Sequence, residues 1–253
     1  MMFIKKPRVQ VFIENSKYIV KTISNKKELK EVLKLRYLVF YEEMLHKKKL
    51  IKLDVDKYDD FFDHLVLIHK DSGKIIGTYR INSSSYSKKF YCSTEFDLGN
   101  ILNKSGVKIE LGRTCIDLEH RKNLVILLLW KGLLEYAKNL NGKYLFGVSS
   151  VKELSINEIL SLHNYFKQNH FSDDSFRVYP KKKFAIKNFE TFSSLSSIDS
   201  GKLVPNLLKF YLKTGSVICG EPVYDKKLRC YDFFTLLDLT NINKDVENKL
   251  KCD

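Results

Sequence analysis

The sequence predicts an α/β fold of the mixed, α+β kind: one central mixed sheet with helices on both faces. Three observations carry this. Strand-like runs come together early and alternate with helical runs later, in the order β-α-β-β-β-α-β-α followed by mixed elements. No G-x-G-x-x-G follows a strand, which argues against a dinucleotide-binding arrangement. With 253 residues, 44% of them hydrophobic and 13% aromatic, the chain can bury a core in one domain over 1–253. That domain reads as a core of about 18–171 with a C-terminal extension, about 172–253, completing the sheet.

Each element has a local reason. Tyr18 to Ile23 is a strand, after which Asn25 caps a helix with Glu28 as capping-box partner. Leu29, Val32, Leu33, Arg36, Tyr37 and Phe40 recur there at helical spacing. His64 to His69 and Lys74 to Ile81 flank the turn Asp71-Ser72-Gly73-Lys74, giving a hairpin. Val107 to Ile116 is a strand leading through Asp117–Asn123 into a long apolar helix that stops near Asn141-Gly142. Lys143 to Ser149 is a strand, and Ser155 with Glu158 opens a helix running to about Asn169. Residues 172–203 are polar and read as a long surface excursion. Pro205 starts a short helix that Gly215 ends, and strands follow near Ser216–Cys219 and Tyr231–Leu239.

Composition excludes several classes of function. The net charge of +14, from 44 Lys+Arg against 30 Asp+Glu, favours encounter with polyanions: nucleic acid, an anionic membrane surface or an acidic carrier protein. Zinc-finger, RNP-type and helix-turn-helix signatures are lacking, so no nucleic-acid partner is expected. Five cysteines without a C-x-x-C pair speak against a disulfide framework or zinc site, and the histidines show no metal-ligand spacing, so no metal is expected. A cytoplasmic location is expected, at most peripheral at the inner face of the membrane: Leu124 to Trp130, the most apolar stretch, is too short to span a bilayer, and the basic N-terminal residues lead into no apolar leader. P-loop, H-E-x-x-H and G-x-S-x-G patterns are also missing; Gly147-Val148-Ser149 fails as a nucleophile elbow because residue 151 is Val.

Three segments carry chemistry. Asp54-Val55-Asp56-Lys57-Tyr58-Asp59, closing on Asp63-His64-Leu65, sets carboxylates before a strand, suiting either a cationic amine or solvent. Glu110-Leu111-Gly112-Arg113-Thr114-Cys115 places charge inside an apolar strand, which is costly if unpaired and so marks a site or an internal ion pair. Glu110 and Arg113 fall on opposite faces unless a bulge intervenes. Gly215-Ser216-Val217-Ile218-Cys219-Gly220-Glu221-Pro222 with Asp225 implies a tight backbone path, at a site or a structural turn.

Together these segments resemble the hemolysin-like branch of the GNAT superfamily, the N-acyltransferases of ornithine lipid synthesis. Arg36-Tyr37-Leu38-Val39-Phe40, Asp56-Lys57-Tyr58-Asp59, His64-Leu65, Gly77-Thr78-Tyr79-Arg80, Glu95-Phe96-Asp97-Leu98, Glu110-Leu111-Gly112-Arg113 and Gly220-Glu221-Pro222 with Asp225 fit its motifs in order, over roughly residues 29 to 240. A weaker similarity reaches the acyl-homoserine-lactone synthases. The resemblance implies a GNAT fold, an amino acid acceptor such as ornithine, and an acyl thioester on the phosphopantetheine of acyl carrier protein, or acyl-CoA, as co-substrate, with no permanently bound cofactor. The pyrophosphate-gripping R/Q-x-x-G-x-G/A pattern of acetyl-CoA-using relatives is replaced by the glycine-free Arg121-Lys122-Asn123-Leu124-Val125-Ile126, which suits a carrier's single phosphate.

The residue roles expected on this basis are as follows. Glu110 is the base, through a water, and Tyr165 protonates the leaving thiolate. Backbone N–H groups near Cys115 or Ile116 polarise the thioester carbonyl, and Arg121 and Lys122 meet the phosphate. Asp56 and Asp59 take the acceptor's ammonium groups and Arg80 its carboxylate, with Arg36, His64 and Arg113 also on the substrate side. Two alternatives stay open: an autoinducer-type acyl-amide synthase using S-adenosylmethionine, and a non-enzymatic basic protein that binds membrane or nucleic acid.

Overall fold

The computed structural model describes residues 6–121, 123–152, 154–187, 189 and 200–251. Its strands are β1 (Phe12–Glu14), β2 (Tyr18–Thr22), β3 (Asp63–His69), β4 (Lys74–Ser83), β5 (Phe96–Asp97), β6 (Val107–Ile116), β7 (Gly142–Lys152), β8 (Tyr179–Pro180), β9 (Val217–Ile218), β10 (Val223–Asp225) and β11 (Cys230–Asp238). Its helices are α1 (Lys26–Tyr37), α2 (Gly99–Leu102), α3 (Asn123–Asn139), α4 (Ile156–Asn169), α5 (Asn206–Lys213) and α6 (Lys244–Lys251). The chain forms two compact units, 1–86 with 111–142 and 249–253, and 87–110 with 143–248, so β6 runs from the second into the first.

In the first unit β1, β2, β3 and β4 pair antiparallel in chain order. The expected hairpin is present, turning through Gly73 at φ 63°. Neighbouring residues of a strand face opposite ways, and β3 shows what each face meets. Val66 packs with Leu29, Val32 and Leu33 of α1. Leu65 instead lies beside Gly132 of α3, where an added Cβ would come 2.5 Å from Val20 and 3.0 Å from Leu65. Helices therefore cover both faces, and α3 sits close because residue 132 has no side chain.

Helix α1 starts as its sequence demands: the Asn25 side chain accepts from the Glu28 N–H. Glu28 reaches back to the N–H of Ser24, one residue before the cap, and also pairs with Lys21 at 2.5 Å. Beyond Tyr37 the helix widens into a π-type stretch, Leu38–Glu43, in which the Met44 N–H reaches the Val39 carbonyl. Helix α3 ends at Asn139, and the left-handed stop falls on Asn141, φ 51°, rather than on Gly142, which opens β7.

In the second unit β7, β11 and β10 are antiparallel neighbours, with β9 also on β11. Segments after residue 172 thus build sheet. The stretch 172–203 is more than a surface excursion: β8 pairs with β5, and Val178 is buried with Phe96, Phe146 and Phe234. Residues 190–199 of that stretch lie outside the described residues. Helix α4 opens on the complete capping box expected of Ser155 and Glu158. Short elements that periodicity missed are β1, β5, α2, β8, β10 and α6, most of them only two to four residues long.

The Gly215–Pro222 path has a structural reason. Gly215 takes φ 100° after α5. At Gly220 a Cβ would stand 2.4 Å from the Val178 carbonyl oxygen, a backbone atom that cannot swing aside. Close backbone approach, not ligand chemistry, accounts for glycine there.

Helix α4 also buries His163 among Phe171, Phe189 and Phe233, with ring separations of 5.2–6.5 Å. Neither ring nitrogen has a hydrogen-bond partner among the described residues. Burial, then Lys167 and Arg177, push its pKa down to about 3. A histidine depressed in this way contributes stability above its unfolded pKa near 6.5, and that stability is lost as pH falls toward 3. His163→Phe should therefore raise stability by about 1–3 kcal/mol, since it removes unsatisfied buried polar atoms. It should also flatten the loss of melting temperature on acidification below pH ~6.5. Thermal melts of both proteins across that range test this; an unchanged pH slope would refute it.

Candidate active site

The apolar stripe of α1 carries one anomaly. Arg36 occupies a core position after Leu29, Val32 and Leu33, and its side chain is 0% exposed. A guanidinium there requires counter-charges, and the loop after the π-type turn provides them. Arg36 Nε and Nη2 donate to Asp54 Oδ2 at 2.8 and 2.7 Å, and Nη1 donates to Asp59 Oδ1 at 2.6 Å. Backbone bonds fix that loop: the Asp54 N–H reaches the Leu33 carbonyl, the Asp56 N–H reaches Asp59 Oδ2, and the Tyr58 N–H reaches Asp56 Oδ1.

Two further arginines complete the network. On β4, Arg80 Nη1 donates to Asp56 Oδ1 at 2.6 Å and to Asp59 Oδ1 at 2.9 Å. Its guanidinium lies over the Tyr58 and Phe62 rings, 5.5 and 5.4 Å from their centroids. On β6, Arg113 Nη2 donates to Asp56 Oδ2 at 3.0 Å, and its Nε stands 3.7 Å from Asp54 Oδ2. Arg113 adopts φ 50°, a left-handed break in the strand. This is the kind of irregularity that redirects a charged side chain out of simple alternation. His64, cross-strand partner of Arg80, brings Nε2 to 3.3 Å from the Asp59 carbonyl oxygen.

Three arginines thus face three aspartates, and the formal charges cancel. Burial would lower the Arg36 pKa, but Asp59 and Asp54 outweigh it and raise it. Burial would raise the carboxylates, yet Arg36 and Arg80 hold Asp59 below its ordinary value, and Arg80 and Arg113 hold Asp56 far below it. Burial, with Arg36 and Arg80 opposing Asp59, pushes His64 down to about 4, so it is neutral at pH 7.

The structure therefore brings together Arg36, Asp56, Asp59, His64, Arg80 and Arg113, all six residues expected on the substrate side. There they bond one another. Asp59 and Arg80 satisfy each other and their neighbours, rather than standing open for an acceptor's ammonium and carboxylate. Asp54 belongs to the set as fully as the others. Its signal in the sequence was a charged residue at a core position of α1, which demands a buried partner.

The other expected residues lie as follows. In the second unit Glu110 is buried, and its two carboxylate oxygens accept from the Tyr91 and Cys92 N–H groups at 2.8 and 2.7 Å. It thereby caps the helical turn Cys92–Thr94. Tyr165 on α4 is half-buried against Phe166 and His170. In the first unit Cys115 is buried, its thiol pushed up to about 12 by burial, as suits an inert packing residue. The Ile116 carbonyl accepts from Arg121 Nε at 3.0 Å, and Arg121 forms a two-pronged pair with Glu43 at 2.6 and 2.5 Å. Lys122 lies outside the described residues.

Tertiary structure also gathers groups that spacing concealed. Asp117, Glu119 and His120 bring donor atoms within 4.8 Å of one another, as do buried Asp225, Cys230 and Asp232. Among the described residues no helix is long and apolar enough to cross a membrane.

Residues 35–131, which span α1's end through most of α3 and include the whole arginine–aspartate network, match the family model described as an acetyltransferase (GNAT) domain. The chain is an acyltransferase with a GNAT-like fold. The acyltransferase is 26% identical over 235 residues to the L-ornithine N(alpha)-acyltransferase of Rhodobacter capsulatus, covering 87% of this chain and 90% of that one. It is also 26% identical over 242 residues to the enzyme of the same name from Brucella abortus, covering 88% and 85%. Among solved structures its fold matches that of TofI, crystallised in a ternary complex with an inhibitor and MTA. The TM-score is 0.51 at 14% identity, over 94% of this acyltransferase and 97% of TofI.

Proposed function

We propose that this acyltransferase moves a fatty or 3-hydroxy fatty acyl group from acyl carrier protein to the α-amine of ornithine or a similar amino acid, giving a lyso-ornithine-lipid-type product. The observation that carries the reading is similarity to ornithine N-acyltransferases over nearly the whole of both chains, including the segment that builds the buried network. The glycine-free stretch Arg121–Ile126 favours a donor with one phosphate over one with a pyrophosphate.

Amide formation needs a deprotonated amine, a stabilised oxyanion and a protonated leaving thiolate. In this proposal Glu110 removes the amine proton through a water, and backbone N–H groups near Cys115 and Ile116 polarise the carbonyl. Tyr165 returns a proton to the thiolate, and Arg121 with Lys122 meets the carrier's phosphate. The acyl group passes directly to nitrogen, the route the resemblance implies, and Cys115, buried with its thiol pushed up, is not assigned as a nucleophile.

The exposure of the three acids supports one choice of acceptor contact. Asp59 and Asp54 are engaged inside the protein, with side chains 1% and 4% exposed, whereas Asp56 is 15% exposed. In this proposal Asp56, the most exposed acid of the three, is the one that meets an acceptor ammonium. Asp56→Asn should raise the KM for ornithine roughly ten- to a hundredfold and leave the donor KM nearly unchanged. Steady-state thiol release with each substrate varied in turn measures both; an effect confined to the donor KM would remove Asp56 from the acceptor site.

The reaction itself is tested by lipid mass spectrometry of cells expressing the chain, together with purified protein offered ornithine, other amino acids or S-adenosylmethionine. A new N-acyl ornithine supports the proposal. Acylation of S-adenosylmethionine alone, or of nothing, overturns it.

A further inference from the structure

The π-type turn after α1 leads into a loop unlike the rest of the surface. Residues His46 to Lys52 read His-Lys-Lys-Lys-Leu-Ile-Lys, four lysines and no acid. Leu50 is 104% exposed and Ile51 68%, so two adjacent bulky aliphatic side chains stand in water at the tip. Single exposed hydrophobics are ordinary, but a neighbouring pair at one tip between lysines is not.

The base of the loop is held in place. The Lys47 N–H bonds the Tyr41 carbonyl, the Lys49 N–H bonds Tyr37 Oη at 3.2 Å, and the Lys49 ammonium sits 3.5 Å from the centre of the Tyr41 ring. On the far side the Asp54 N–H reaches Leu33, and the Asp54 carboxylate is locked to buried Arg36. Leu50 and Ile51 are therefore presented outward by a fixed backbone, flanked by Lys47, Lys48 and Lys52.

Apolar tips ringed by lysines suit an interface that is apolar inside and negatively charged at its rim. We propose that the Lys47–Lys52 loop is the surface by which the protein docks on an anionic lipid bilayer, Leu50 and Ile51 entering among the acyl chains while the lysines meet the headgroups. An acidic protein partner would use the lysines and would need an apolar patch of its own to cover Leu50 and Ile51. The surface stands on loop geometry and charge and does not depend on which amine is acylated.

Co-sedimentation of the full chain with vesicles tests it. The protein should bind phosphatidylcholine vesicles containing phosphatidylglycerol and not pure phosphatidylcholine, with binding weakened by salt. Replacing Leu50 and Ile51 by Glu should reduce partitioning by at least about tenfold. Lys47→Ala and Lys48→Ala should each reduce it about fivefold. The positions are solvent-exposed, so the melting temperature should not move. Failure of the wild-type chain to bind anionic vesicles would overturn the assignment. So would Leu50→Glu/Ile51→Glu protein that keeps vesicle binding, including the case in which it loses only acyl carrier protein binding, since the loop would then be a protein dock. Either failure leaves the ornithine assay readable by itself.

Discussion

Arg36→Leu lowers the free energy of unfolding by about 3–5 kcal/mol, because it strips a buried ion cluster of its central cation. Arg36 is bound at hydrogen-bonding distance to both Asp54 and Asp59. Without it Asp54 keeps Arg113 Nε at 3.7 Å, and Asp59 keeps Arg80 at 2.9 Å and the Asp56 N–H. The substituent's shape suits the α1 stripe, so the penalty is electrostatic: a buried carboxylate left without its partner. Adding Asp54→Asn to Arg36→Leu should return part of the loss, as coupled partners do in a double-mutant cycle. Urea unfolding of the wild-type, single and double variants measures this. A single-variant loss below about 1 kcal/mol would show that the cluster is not a keystone of the first unit.

The network also sets an acid limit. Asp56 and Asp59 have folded pKa values below the unfolded value near 3.8, so their contribution is fully present above that value and is lost as pH falls through the folded ones. His64, depressed to about 4 from near 6.5, adds a decline that begins earlier, below pH ~6.5.

The second large effect is catalytic. Glu110→Gln should cut turnover by about two to four orders of magnitude if Glu110 is the base. The structure adds a structural consequence. Both carboxylate oxygens accept backbone N–H bonds, and the glutamine NH2 would turn a donor toward one of those donors. Stability should fall by about 1–3 kcal/mol as well. The two effects separate if thiol release is measured well below the variant's melting temperature and expressed per mole of folded protein. Undiminished turnover on that basis would leave Glu110 as the cap of the Cys92–Thr94 turn and remove it from the chemistry.

Much of this protein was legible in its sequence. Strand alternation and caps located β2, β3, β4, β6, β7 and α4, because those signals act within one turn or one pleat. The Asn25 and Ser155 caps, the Gly73 turn and the short α5 helix after Pro205 are local chemistry and fold as read. The motifs carried by Arg36, Asp56, Asp59, His64, Arg80 and Arg113 also marked the residues that the fold gathers.

What the sequence could not decide is how charge is shared once those residues meet. In a list, three arginines and three aspartates look like groups awaiting a substrate. Within about 3 Å of one another and mostly buried, they neutralise each other first. Only the tertiary structure sets those distances, through loop bonds at Asp54 and Asp56 and the left-handed turn at Arg113. The same holds for Gly220, Gly132 and His163, whose reasons lie in neighbours far along the chain: a backbone carbonyl, a packed strand and a ring of phenylalanines. Periodicity and capping report what a residue does within a few positions of itself, and burial, ion pairing and close approach depend on partners that only folding supplies.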